Sequence, residues 1–136
     1  MNMKIAIAIM TLGVCGGCIS PNIPNDIENP EAFKAGYKAV EMYLVSKPIS
    51  PEAAFYAETA YKVLSYLCET NQPPTDSVIS EYLDSLCISE QQQAVILVFV
   101  RRIIVTLPDG TELNTSVVHD IYAGVEMARF DYGLTE

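Results

Sequence analysis

Few residues of this 136-residue chain have the type and spacing that chemistry needs. His119 is the single histidine, and Asp120 follows it directly. Adjacent side chains on a helix diverge by about 100°, so this pair cannot work as a general base and its orienting carboxylate. Glu126 lies two turns further on, beyond hydrogen-bond reach. With no second histidine and no nucleophile beside it in sequence, His119 predicts neither a catalytic triad nor a zinc site. It reads as a surface side chain near the start of its helix. Cys15 and Cys18 form a Cys-x-x-Cys, a spacing used in redox and metal sites, but they sit in an apolar leader with no second ligand pair nearby. Cys68 and Cys87 are the other two cysteines. In an exported domain they are a disulfide candidate, closing a loop of about 20 residues worth roughly 3 kcal/mol on chain-entropy grounds. The other reading is two buried free thiols at helix ends. Arg101 and Arg102 interrupt the most apolar stretch of the sequence. Either they offer a positive contact to an anionic ligand or partner, or they pair with acids of another helix, Glu81 or Asp84. Asp109-Gly110-Thr111-Glu112 lacks the alternating oxygen ligands of a calcium loop. A glycine-rich phosphate loop, a paired-carboxylate motif and a long heptad run are all missing from the sequence. No catalytic residue, metal ligand or cofactor is expected, and the chain reads as a non-enzyme.

The elements begin with a leader. Met1 to Lys4 supply one positive charge, Ile5 to Val14 a short apolar run, and Cys15-Gly16-Gly17-Cys18 small residues before a cysteine. The apolar run is well short of the ~20 residues that span a bilayer. Cys15-Gly16-Gly17-Cys18 resembles a bacterial lipobox, although Cys15 stands where Leu, Val or Ile is usual. The register Leu12-Gly13-Val14-Cys15 has the usual Leu but a bulky Val before its cysteine, so Cys18 is preferred. The resemblance implies a signal peptide over residues 1–17, cleavage before Cys18, a diacylglycerol thioether on its sulfur and acylation of the new amino group. Two or three acyl chains anchor durably where one does not. Ile19 follows, not Asp, which by the same resemblance points to the outer membrane where the host has one. Plain secretion with cleavage near Gly17 and an uncleaved N-terminal helix are the alternatives.

Beyond residue 17 lie all seventeen acids and seven of the eight bases, so that part carries 7 − 17 = −10 against −9 for the whole chain. This charge disfavours nucleic acid, because no basic patch offsets phosphate repulsion. It also leaves lipid, rather than the domain surface, as the membrane contact. Half the residues are apolar, so the composition is that of a folded domain.

Residues 18–29 read as a lipidated tether rich in Pro and Asn, able when extended to lift the domain roughly 30–35 Å. Residues 30–136 read as one all-α domain, a compact bundle of about five helices. Asn29, Pro30 and Glu31 open the first helix, which carries Phe33, Tyr37, Val40 and Leu44 on one face. Ser50, Pro51 and Glu52 open the second, with Ala57, Ala60, Val63, Leu64 and Leu67 as its stripe. The third starts at Thr75 or Asp76 and closes at Cys87. Ser89 and Gln92 make a capping box for a fourth, read from about Glu90 to Thr106 and buried nearly all round. Its β-branched residues also suit a strand, leaving a short hairpin over 102–115 as the rival. The fifth starts near Asn114 and ends at Gly133. The function expected is a membrane-anchored, non-enzymatic accessory or protein-binding module of the cell envelope. The alternative is an exported helical binder of a small ligand, with its pocket near Arg101 or Arg102.

Overall fold

The computed structural model describes residues 22–45 and 48–134. The expected signal peptide, Cys15, Cys18 and the Ser46–Lys47 link lie outside the described residues. Among those described there are five helices and no strand: α1 Pro30–Leu44, α2 Pro51–Thr70, α3 Asp76–Ser85, α4 Glu90–Val105 and α5 Thr115–Asp131. The all-α bundle expected from the sequence is the fold.

Local chemistry starts most of these helices. Ser50 Oγ accepts the Ala53 N–H at 3.0 Å, and Asn114 Oδ1 accepts that of Val117 at 3.0 Å. The box at α4 is complete: the Gln92 N–H donates to Ser89 Oγ at 3.1 Å, and the Ser89 N–H donates to Gln92 Oε1 at 3.2 Å. Each such bond satisfies a helix-end amide that would otherwise lack a partner. At its far end α5 stops with the Gly133 N–H on the Phe130 carbonyl and the Leu134 N–H on the Arg129 carbonyl. Gly133 holds φ +82°, which only glycine adopts without strain.

The hairpin over 102–115 does not form. Helix α4 runs through Val105, and Pro108 to Thr111 make a turn in which the Thr111 N–H donates to the Pro108 carbonyl. The capping box and the packing of Ile96, Phe99, Val100 and Ile103 into the core outweigh the β preference of the individual residues. Nor is α4 buried nearly all round. Those four residues are its buried set, while Val98 and Val105 face solvent.

The tightest packing is between α1 and α5. A Cβ on Gly36 would lie 2.3 Å from the Ile121 carbonyl oxygen, and one on Gly124 only 2.1 Å from that of Phe33. Two glycines facing each other's helices let the backbones touch. Helix α2 packs across α5 and α1, and α4 meets α1, α2 and α3. The core is Phe33, Tyr37, Val40 and Leu44 of α1 against Val118, Ile121, Val125 and Ala128 of α5, closed by Leu64, Leu67 and Ile96.

The chain before α1 is partly docked rather than a free tether. Ile23 and Ile27 pack against the core. The Asn29 N–H and its Nδ2 both donate to Asp120 Oδ2, at 2.7 and 2.9 Å, and Ser116 Oγ donates to Glu28 at 2.8 Å. Asn29 is the N-cap residue of α1 but makes no side-chain cap bond, because its amide is committed to α5. Five Cα–Cα steps separate Cys18 from Ile23 and reach about 18 Å at most, so the 30–35 Å expected of a free tether shrinks accordingly.

Candidate functional site

Because the Gly36–Gly124 contact draws α1 onto α5, the opposite side of α1 meets α4 only loosely. Between them runs an open furrow. One half, of about 540 Å³, is lined by Ala39, Met42 and Tyr43 of α1 and by Gln91, Ala94, Val95, Val98, Phe99 and Arg102 of α4. A neighbouring space of about 410 Å³ continues it past Ala35, Lys34, Lys38 and Glu31 to Val105 and Thr106, sharing Ala39, Met42 and Arg102 with the first. The helices run antiparallel here, since the early residues of α1 face the late residues of α4. Small residues make the floor, and Tyr43 closes its base with its ring 5.4 Å from that of Phe99. The rim is apolar and wet: Met42 is 72%, Val98 46% and Val105 79% exposed. A helix apolar on every side is expected to be covered on every side. Here the side of α4 that carries Val98 and Val105 is left uncovered.

The two arginines separate. Arg101 turns to α3, where its Nε donates to Asp76 Oδ1 at 3.1 Å and its Nη2 to Oδ2. That bond holds the Asp76 carboxyl below the usual carboxylate range. The acid it finds is Asp76 at the start of α3, not Glu81 or Asp84, and both side chains of the pair are about half exposed. Arg102 lies one residue, and so about 100°, further round. It stands on the furrow wall, and no ion pair holds it among the described residues. Its positive charge bears on Tyr43, whose hydroxyl is nevertheless pushed up, by burial first and by Tyr56 second.

No disulfide joins Cys68 to Cys87; both are free thiols. Cys68 turns inward from α2 against the core, whereas Cys87 is exposed beyond the end of α3 at φ +58°. Burial pushes the Cys68 thiol up to about 11, with Glu69 adding to it, so it is a poor nucleophile. His119 is exposed, edge-on to Tyr122 at 6.3 Å, and Asp120 turns the other way to hold Asn29. No three His, Cys, Asp or Glu side chains among the described residues cluster as metal ligands. Among those residues, too, no helix is long and apolar enough to cross a membrane.

No protein-family model, no curated protein and no solved structure matches this chain. The functional reading therefore rests on its own geometry.

Most of the tyrosines serve structure: Tyr37 fills the core and donates to Asp131 at 2.7 Å. Tyr122 donates to Tyr61 at 3.1 Å and stacks on it, and the Arg129 guanidinium lies 3.8 Å over the Tyr61 ring. Arg129 also forks onto Glu58 with two bonds of 2.8 Å, which ties α5 to α2. Tyr66 and Tyr82 stack at 4.4 Å between α2 and α3. Only Tyr43 reaches the furrow. Of the furrow's residues the sequence singled out Arg102 alone. Met42, Val98, Val105, Lys34 and Lys38 carried no motif. The available signal was the surplus of apolar residues on α4, more than one buried face can use.

Proposed function

We propose that this chain is a lipid-anchored, non-enzymatic module of the cell envelope that binds another protein along the α1–α4 furrow. The observation that carries the reading is the uncovered apolar side of α4, with Val98 and Val105 in water beside an open trough. Scattered exposed apolar residues need no explanation, but a contiguous set lining a groove marks a contact surface. The anchor follows from the lipobox resemblance at Cys18. The docked Ile23 and Ile27 support a domain held close to its bilayer. The small-ligand alternative draws on Arg102 at the wall of an apolar space. The trough is open along its length, which suits a macromolecule better than a ligand that must be enclosed.

Two measurements test this. Mass spectrometry of the membrane fraction should find Cys18 as the first residue, carrying diacylglycerol mass, and Cys18→Ala should abolish that mass. Intact Met1 without lipid would defeat the anchor. A photo-crosslinking residue replacing Val105 should trap a protein in cells, and the adduct should vanish when Val98→Asp is added. A label at Glu69, outside the furrow, should trap nothing comparable. Equal adducts from both positions would defeat the furrow as the binding surface.

A further inference from the structure

Resting on that reading, the furrow also carries a charge pattern that says what kind of partner segment it takes. The described residues include six lysines and arginines: Lys34, Lys38, Lys62, Arg101, Arg102 and Arg129. Three of these six, Lys34, Lys38 and Arg102, line the same end of the furrow, with Glu31 as the one carboxylate on that lining. The lining is thus 3 − 1 = +2 in a chain of −9. Lys34 and Lys38 make loose contacts with acids of their own helix, 3.7 Å to Glu31 and 3.3 Å to Glu41, through lysine side chains about half exposed. The Lys34–Glu31 pair, exposed on both sides, exchanges readily for an incoming carboxylate; Lys38 faces a buried Glu41 carboxylate and offers only its remaining N–H donors. Arg102 has no such partner among the described residues, and its guanidinium can take a carboxylate with two bonds. The opposite end, at Gln91, Ala94 and Val95, has no charge on its lining.

Shape restricts the partner further. From Gln91 to Val105 the α4 wall is about 21 Å long, or some four helical turns. The positions Gln91, Ala94, Val95, Val98, Arg102 and Val105 recur every three or four residues, as they do on a helix that packs against another helix. Alanines at 35, 39 and 94 keep the floor low enough for a backbone to come close.

We infer that the furrow receives an amphipathic helix of about four turns, apolar along the face it buries and bearing carboxylates at the end that lies against Arg102, Lys38 and Lys34.

The test uses the expected mature chain, residues 18–136, and two fluorescent 16-residue peptides. Both carry Leu at i, i+3, i+4 and i+7; one has Glu and the other Lys at the flanking positions. Anisotropy should show the Glu peptide binding at least tenfold more tightly than its Lys twin, and more weakly as salt rises. Arg102→Glu should weaken the Glu peptide at least tenfold, while Arg101→Glu, on the Asp76 side, should leave it unchanged. Val98→Asp should abolish binding, with circular dichroism confirming the helical fold. Equal binding of the two peptides, or none, would overturn the acidic-helix assignment. Flotation with phosphatidylglycerol vesicles in place of peptide binding would overturn it in favour of a membrane contact. Dimerisation of the domain that is lost in Val98→Asp would overturn it in favour of a second copy. If the Val105 crosslink survives these failures, the protein-binding reading stands and only the acidic helix falls.

Discussion

Arg129 forks onto Glu58 while its guanidinium lies against the Tyr61 ring, and its side chain is only 12% exposed. Planarity does both jobs at once. A lysine ammonium is a point charge that cannot offer two parallel donors and stack at the same time. Arg129→Lys keeps the charge and loses the geometry, so it should cost about 1–2 kcal/mol, because the pair is partly buried and the cation–π contact adds to it. Urea unfolding checks this. A stability equal to that of the parent would mean the clamp between α2 and α5 is charge alone. Arg102 makes the contrast: it is exposed, without such a clamp, and its substitution should move binding and leave the urea midpoint in place.

At the scale of elements, Gly124→Ala separates helix propensity from packing. Propensity alone predicts a gain of about 1 kcal/mol from replacing a mid-helix glycine with alanine. The added methyl would sit 2.1 Å from a backbone oxygen of α1, where no flexible side chain can give way. The helices must move apart, and the substitution should cost about 1–3 kcal/mol, the range for an overpacked core. Gly36→Ala should do the same from the other side, and a gain in urea midpoint from either would mean α1 and α5 are not in backbone contact. These glycines also show what the sequence could and could not tell. The helices were legible because each carries a local start signal and an apolar face: Ser50 and Pro51, the Ser89–Gln92 box, Asn114. The rival strand over 102–115 failed for the same reason. What was not legible was which faces meet. Gly36 and Gly124 lie in different helices, and nothing in a linear reading says they touch. Once they do, the side of α1 carrying Ala35, Ala39 and Met42 is turned away from α5, and the furrow follows. The expectation that α4 is buried all round came from counting apolar residues, a count that cannot distinguish a central helix from one with a face left for a partner. The Asn29–Asp120 bond, the Arg101–Asp76 pair and the free thiols of Cys68 and Cys87 are likewise products of long-range geometry.

Across the whole molecule, weak acids in or against the core set how stability depends on alkaline pH. The Cys68 thiol is pushed from 9.0 up to about 11 by burial and then Glu69, and the Tyr122 hydroxyl from 10.0 up to about 12 by burial and then its bond to Tyr61. Tyr37 is raised further still, by burial and then by the hydrogen bond it donates to Asp131 at 2.7 Å. All three shifts are upward, so the folded chain keeps protons that the unfolded chain gives up. Stability falls with pH wherever the unfolded state binds fewer protons, by up to about one proton's worth of slope for each group. The contribution is complete below about pH 9, begins to fade as the unfolded thiol ionises, and is lost for Cys68 and Tyr122 as pH passes 11 and 12. Urea midpoints measured from pH 8 to 12 should therefore hold level and then decline. Cys68→Ala should remove the part of the decline that begins near pH 9, and Tyr122→Phe the part that begins near pH 10, each flattening the curve relative to the parent rather than merely lowering it. General charge repulsion in a chain of −9 would steepen every curve alike. Parallel curves for parent and both variants would assign the alkaline loss to repulsion and remove the buried groups from the account.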